Sequence, residues 1–320
     1  YEILRCLVGS EMCIRDRRYA LASGNCNEAE KLWPLIEWCL EYCHRQLNVD
    51  GVVKSDSDEL ENRFPAGKAN LCTSSLYYDA LVSAAYLGKA LKKEHKQIKS
   101  YQDRAAELYK NIDAYFARNV EGYDTYRYYD GNTVLRSWIC IPLTMGIYDQ
   151  AKGTVEALFS DKLWMENGLL TQSGTSTYWD RSTLYAFRGA YSCGARDIAT
   201  EYLDKYSATR LLGDHVPYAV EAWPEGNQRH LSTESALYCR IMTEGLFGIR
   251  PIALDAFMMT PQLPESWNTM SLKRICAFGS IFDIEVKRDK DNKLSVLIKK
   301  DHKIVKRSKI TNGKPIEVRI

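Results

Sequence analysis

Near Ile249 this chain changes its period. Before that point apolar residues recur every three or four positions, and after it they alternate with polar ones. A chain patterned in this way folds as a helical domain with a smaller β domain appended, the boundary falling at 251–261. Roughly eight segments of the first part carry a helical face. Residues 28–47 put Leu32, Ile36, Cys39, Leu40 and Cys43 on one side, with Pro34 expected to kink that helix or mark its start. Thr73 or Ser74 can cap a helix through Tyr77, Leu81, Ala84, Ala85 and Leu87 to about Leu91. Ile98, Tyr101, Ala105, Leu108, Ile112, Tyr115 and Phe116 trace a third face. Shorter helical segments follow at 134–147, 150–159, 183–193, 197–206 and 233–247, and most should pair as antiparallel hairpins.

In the second part Asp283, Glu285 and Lys287 alternate with Ile284 and Val286. A half-buried β-hairpin is therefore expected, 277–287 against 293–299 around the turn at 288–292. A last strand at 316–320 follows the turn Gly313-Lys314-Pro315. The intervening loops of the helical part, 49–71, 121–133, 166–182 and 209–232, are too long for a plain bundle, and loops of that length are usually functional. The chain has no fixed-period repeat of the tetratricopeptide or ankyrin kind. A closed toroid of helical hairpins would gather such loops at one end.

Composition excludes several classes. A net charge of +2 gives no reason to expect a nucleic-acid partner. No run approaches the roughly twenty apolar residues of a membrane span. Twenty-one tyrosines and seven tryptophans suit either a sugar-binding surface or a helical core. Residues 1–17 resemble a translated sequencing-adapter sequence and are set aside as artefactual, which puts the start of the protein proper near Arg18 and its true N-terminus upstream. Eight cysteines remain: Cys26, Cys39, Cys43, Cys72, Cys140, Cys193, Cys239 and Cys276. None forms a CxxC or zinc spacing, so buried free thiols and no metal or cofactor are expected.

The segment 216–251 carries the most chemistry. Glu221 and Glu225 flank Trp223 in a stretch broken by Pro217, Pro224 and Gly226, hence a loop, directly before a helix. An indole offers an apolar face to a pyranose, and a carboxylate beside it can activate water. A solvated acidic loop with one packed tryptophan is the plainer alternative. In 174–191, Trp179 is expected as a sugar platform and Asp180 as a hydroxyl ligand, unless Asp180 or Ser182 only caps the helix that follows. Trp138 and Tyr128 are further platform candidates, whereas Trp33, Trp38 and Trp164 fit packing roles. Arg63 and Arg229 are placed to orient carboxylates or to bind a uronic acid, or else form surface ion pairs.

Phe247-Gly248-Ile249-Arg250-Pro251, then 254–263, then Ala277-Phe278-Gly279 leading into strands, resembles the end of the catalytic domain in bacterial α-L-rhamnosidases and related six-hairpin glycosidases. That resemblance implies an (α/α)6 toroid over 18–250, passing into a β-sandwich-like domain over 251–320. A complete ring has about twelve helices against roughly eight legible here, so the first hairpins are expected to be missing. In rhamnosidases the general base is a Glu in a Trp-Glu-x-Trp context shortly before the last helix. Val220-Glu221-Ala222-Trp223 keeps the Glu-x-Trp half and lacks the first Trp, which leaves Glu225 as an alternative. Lys54-Ser55-Asp56-Ser57-Asp58 is similar to the Ser-Gly-x-Asp loop of trehalases and family-63-type glucosidases, whose Asp is the general acid. Asp58 falls on that position, and Asp56 stands where those enzymes have Gly. In rhamnosidases the acid lies on an earlier segment, so the two analogies disagree about its place.

The resemblance implies an inverting, exo-acting glycoside hydrolase working on plant or bacterial oligosaccharides. Such an enzyme holds one protonated carboxyl group and one carboxylate roughly 6.5–9.5 Å apart with a water between them. The partner is then an oligosaccharide or polysaccharide fragment, and a periplasmic or secreted location is favoured. A non-catalytic carbohydrate-binding helical protein is the first alternative. A sugar epimerase of the same barrel is the second, for which only His215 and His230 lie near the proposed site.

Overall fold

The computed structural model describes residues 17–57, 64–210, 212, 222–223 and 232–320, with the side chains of 222, 223, 232 and 233 left out of the description. The helical part runs through residues 17–23 (α1), Cys26–Arg45 (α2), Leu71–Ala90 (α3) and His95–Phe116 (α4). A hairpin of Ala117–Val120 (β1) and Tyr123–Tyr126 (β2) follows. Next come a 3-10 turn at Ser137–Cys140 continuing into Ile141–Met145 (α5), and Ala151–Leu158 (α6). Two short strands, Trp164–Met165 (β3) and Gly168–Leu169 (β4), precede Tyr178–Trp179 (β5), which leads into Asp180–Ser192 (α7). Arg196–Arg210 (α8), Ala222–Trp223 (β6) and Ser232–Arg240 (α9) complete it, α9 ending in a π-helical turn at Ile241–Leu246.

Two helices are central, and their sequences say why. Both α3, LCTSSLYYDALVSAAYLGKA, and α7, DRSTLYAFRGAYS, are buried nearly all round, as expected of helices surrounded by others. Against α3, the helices α2 and α4 bury one stripe each: Trp33, Ile36, Leu40 and Cys43 in α2, Tyr101, Leu108, Ile112 and Phe116 in α4. Small residues let the backbones approach. A Cβ on Gly189 of α7 would meet the Leu143 side chain of α5 at 2.8 Å.

Several local expectations need correction. The α2 helix starts at Cys26, capped by the Asn25 side chain, so of the two expectations for Pro34 the helix start is the one overturned: it lies inside the helix. In α3 the cap is Asn70 rather than Thr73 or Ser74: its Oδ1 accepts the Thr73 N–H at 2.9 Å, while its amide donates to the Ser57 carbonyl at 3.1 Å. Asn is as good a cap as Ser or Thr, and here it also ties a loop to the helix. Cys39 is disulfide-bonded instead of free. Of the free cysteines, Cys43, Cys72 and Cys140 are buried, whereas Cys26, Cys239 and Cys276 are exposed. Trp38 is half-exposed and stacked on Tyr42, away from the core.

From Arg250 onward the chain is antiparallel sheet. One sheet has the order Lys303–Ile310 (β12), Leu294–Lys300 (β11), Ser280–Arg288 (β10), Thr269–Ala277 (β9). The other has the order Ile316–Arg319 (β13), Ala256–Met259 (β8), Arg250–Ala253 (β7). Phe257 of β8 lies 5.6 Å from Phe282 of β10 and 5.2 Å from Phe278, so aromatic rings join the two sheets. The expected strand 277–287 is interrupted: Phe278 and Gly279 take φ of 55° and 64°, which turns the chain between β9 and β10. That turn docks on the end of α1, with Gly279 N–H donating to Ser23 O at 3.1 Å. Gly24 faces the same turn so closely that a Cβ there would sit 2.4 Å from the Phe278 carbonyl carbon. Arg17, the last residue of the segment set aside above, is fully buried.

Candidate functional site

Described residues of the four long loops meet at one end of the helices, joined by short antiparallel pairings. Lys54 pairs with Ala69, Asn70 with Tyr129, Arg136 with Gln172, and Leu170 with Tyr178. Tyr178 then pairs with Trp223, and Trp179 with Ala222, in the β5–β6 ladder. Each loop is thus bonded to the next. Arg136 reinforces the set: its guanidinium lies 5.3 Å from the Phe64 ring, 5.1 Å from Tyr128 and 5.5 Å from Tyr129. Glu121 does the same on the other side, accepting the Leu135 N–H at 2.7 Å and the Ser173 hydroxyl at 3.2 Å.

Among the residues expected to act, Glu221, Glu225, Asp58, Arg63 and Arg229 lie outside the described residues, as do His215 and His230. Trp223 is described in its backbone only, as the partner of Tyr178. Asp56 is exposed on the bend just before Asp58. The ladder sets the Trp179-Asp180 segment beside the Ala222-Trp223 segment, which joins the two stretches singled out from sequence.

The expected platforms are not open faces in this arrangement. Trp179 is 3 % exposed and Trp138 1 %, their rings 4.6 Å apart, with Tyr185 against Trp138 at 5.5 Å. Tyr128 is fully buried beneath Arg136, and its carbonyl accepts the Leu71 N–H. Stacking on one another and on arginine removes these rings from water more completely than an open cleft would. They form the floor under the loops.

Asp180 also differs from the expectation of a sugar ligand. It opens α7, and its buried carboxylate accepts from Arg210 Nη2 at 3.1 Å, in the last turn of α8. An acid at a helix start and a cation at a helix end each complement the local dipole, so this pair fastens α7 to α8. The Tyr206 hydroxyl beside it titrates well above its ordinary value, through burial first and the Asp180 charge second.

Sequence reading passed over Glu234, a fully buried carboxylate in the first turn of α9. Its Oε1 accepts from Arg181 Nε at 2.7 Å, and that guanidinium lies over the Trp179 ring at 5.7 Å. An acid just inside a helix that follows a long acidic loop was the available signal.

Solved structures share this fold. The chain is similar to a protein described as a sialidase, with a TM-score of 0.67 at 15% identity over 93% of this chain and 32% of that one. It is similar to the GH78 family rhamnosidase of Bacillus sp. GL1, with a TM-score of 0.55 at 13% identity over 89% of this chain and 30% of that one. A rhamnosidase from Klebsiella oxytoca with rhamnose bound gives a TM-score of 0.51 at 14% identity over 70% and 43%. The chain spans about a third to two-fifths of the length of these proteins. No family model and no curated protein matches it. No helix of the described residues is long and apolar enough to cross a membrane.

Proposed function

We propose that this chain belongs to a glycoside hydrolase of the six-hairpin, (α/α)6 kind, inverting and exo-acting on an oligosaccharide or polysaccharide fragment. The observation that carries the reading is the loop end: four long loops bonded one to the next, with β5 and β6 holding Trp179 beside Ala222. The fold shared with rhamnosidases agrees with it. Glu221 acts as the base that activates water, with Glu225 as the alternative. Asp58, or Asp56 beside it, supplies the acid. The Asn70 amide holds the Ser57 carbonyl, next in the chain to Asp58, at the start of α3. Trp223 forms the sugar-facing wall, Trp179, Trp138 and Tyr128 the floor beneath it, and Arg63 and Arg229 orient the carboxylates or a substrate acid. The acid must be kept protonated by burial or by its partner's charge, while the base stays ionised.

The test incubates the full-length protein with a panel of oligosaccharides, following the anomeric configuration of released sugar by NMR. Release with inversion is expected, and Glu221→Gln should lower the rate by about 10²–10⁴-fold. Unchanged activity in that variant transfers the role to Glu225. No hydrolysis of any glycan by the folded protein favours the binding reading instead.

A further inference from the structure

Past the middle of α7, the helix turns its other end towards a second concavity. A cavity of about 580 Å³ lies between the end of α7, the π-helical turn, β7 and the 312–315 turn. Arg188 lines it about 10 Å along the helix from Arg181. Four arginines, Arg18, Arg188, Arg196 and Arg250, and Lys314 face it against a single carboxylate, Glu244.

The local charges do not balance. Glu244 Oε1 accepts from Arg240 Nε at 2.5 Å, and its Oε2 accepts from Arg18 Nη1 at 2.7 Å and Arg240 Nη2 at 3.0 Å. Asp79, fully buried behind them, accepts from Arg18 Nη2 at 2.9 Å and Arg250 Nη2 at 2.8 Å. Guanidinium groups thus outnumber the two carboxylates, and Arg188 is held to Glu244 by charge without a hydrogen bond. It is 2% exposed and stands 3.6 Å from Glu244, too far for a hydrogen bond. Neither of its Nη atoms has a hydrogen-bond partner among the described residues. Burial, then the Arg240 charge, pull its pKa down to about 10 despite Glu244. A buried cation with unfilled donors is costly unless something else fills them. The same cavity holds an unfilled acceptor: Gln262 is buried, and its Oε1 has no partner among the described residues. Glu244 itself sits in a π-helical turn, a distortion that recurs at functional sites.

We propose that this cavity binds a small hydroxylated oxyanion, carboxylate- or phosphate-bearing, whose charge rests on the Nη atoms of Arg188 and whose hydroxyl donates to Gln262. The guanidinium fork matches two oxygens of such a group, and a charge-assisted pair of bonds is the strong form of that contact. Arg250, Arg196 and the exposed Lys314 attract it from the rim. The site lies away from the loop end and does not depend on the glycosidase reading.

Thermal unfolding and calorimetric titration of the purified chain test it, with sodium phosphate, sodium glucuronate and neutral glucose as probes at matched ionic strength. At least one anion should bind saturably and raise the melting temperature, as a ligand of the native state does, while glucose does neither. Which anion binds tighter decides between phosphate and carboxylate. Arg188→Met should weaken binding by about tenfold or more. Gln262→Leu should weaken glucuronate more than phosphate, and Lys314→Ala should weaken both several-fold. Absence of saturable binding by either anion overturns the proposal, as does binding that is equal in Arg188→Met and the parent. Should Arg188→Met not fold, unchanged affinity in both Lys314→Ala and Gln262→Leu overturns it equally.

Discussion

At its first turn α7 carries Asp180 and Arg181, each paired with a buried partner, Arg210 for the one and Glu234 for the other. Seven residues beyond Arg181 the same helix carries Arg188, which competes with Arg18 and Arg240 for Glu244. At the first end opposite charges meet in pairs above stacked aromatic rings; at the second, arginines outnumber carboxylates and Arg188 lies 5.1 Å over the Tyr185 ring. A buried pair of opposite charges offsets its own charge and fastens two elements. A buried surplus of one sign does not, and the charge left over carries its desolvation cost. The loops expected to do chemistry therefore adjoin opposite-charge pairs, while the other end of the helix carries a surplus of cations.

Substitutions at the two ends should separate these cases. The largest loss is expected from Glu244→Gln, which removes the charge shared by three arginines. It should cost about 3–5 kcal/mol, seen as a lower urea midpoint at unchanged slope. A smaller loss would mean that water already screens the cluster. Asp180→Asn should cost a similar amount, yet Asp180→Leu combined with Arg210→Met should recover most of it, because both charges leave together. Additive losses in that cycle would contradict the coupling of the two charges. No such recovery is expected at the other end from pairing Glu244→Gln with any single arginine replacement.

Acid titration sharpens the contrast. Neighbouring arginines outweigh the desolvation of the buried carboxyls and hold Asp79 and Glu244 below their ordinary values of 3.8 and 4.5. Their stabilisation is then fully present above the unfolded values and is lost as pH falls through the depressed folded ones. Stability measured by urea should accordingly change little from these groups between neutral pH and about 5, then decline below about 4.5. In Glu244→Gln the acid decline should be shallower; an identical slope would show that the cluster does not govern it.

The smallest effect concerns the loop end. Asn70→Ala removes the cap of α3 and the amide that holds the Ser57 carbonyl. About 1 kcal/mol should be lost, with faster hydrogen exchange at Thr73. Protection unchanged at that amide would show that the cap contributes nothing.

Much of the helical part was legible because burial follows period. The face read through Tyr101, Leu108, Ile112 and Phe116 is the one α4 buries. The strands were harder. β12, KIVKRSKI, is a polar edge strand whose lysines suit an exposed margin, so it lacks the alternation that marks β10 and β11. β9 was missed because its turn into β10 is Phe278-Gly279, a left-handed corner without the Asn-Gly or Asp-Gly that advertises a hairpin. At the candidate site, the sequence picked out Trp179 and Asp180 as residues of consequence but not what they touch. Whether an acid binds sugar or pairs with Arg210 depends on α8, which local pattern does not place.

By itself the sequence determined the helical period, the switch to strands after Ile249, the long loops and the aromatic and acidic residues they carry. These are local properties, set by side-chain chemistry at neighbouring positions. Tertiary structure alone decided that the loops bond to one another in series, that the aromatic residues stack beneath them, and that Arg18, Asp79 and Glu244 meet. Those three come from elements far apart in the chain. Their charges matter only because packing excludes water from the place where they converge, and that exclusion belongs to the assembled fold.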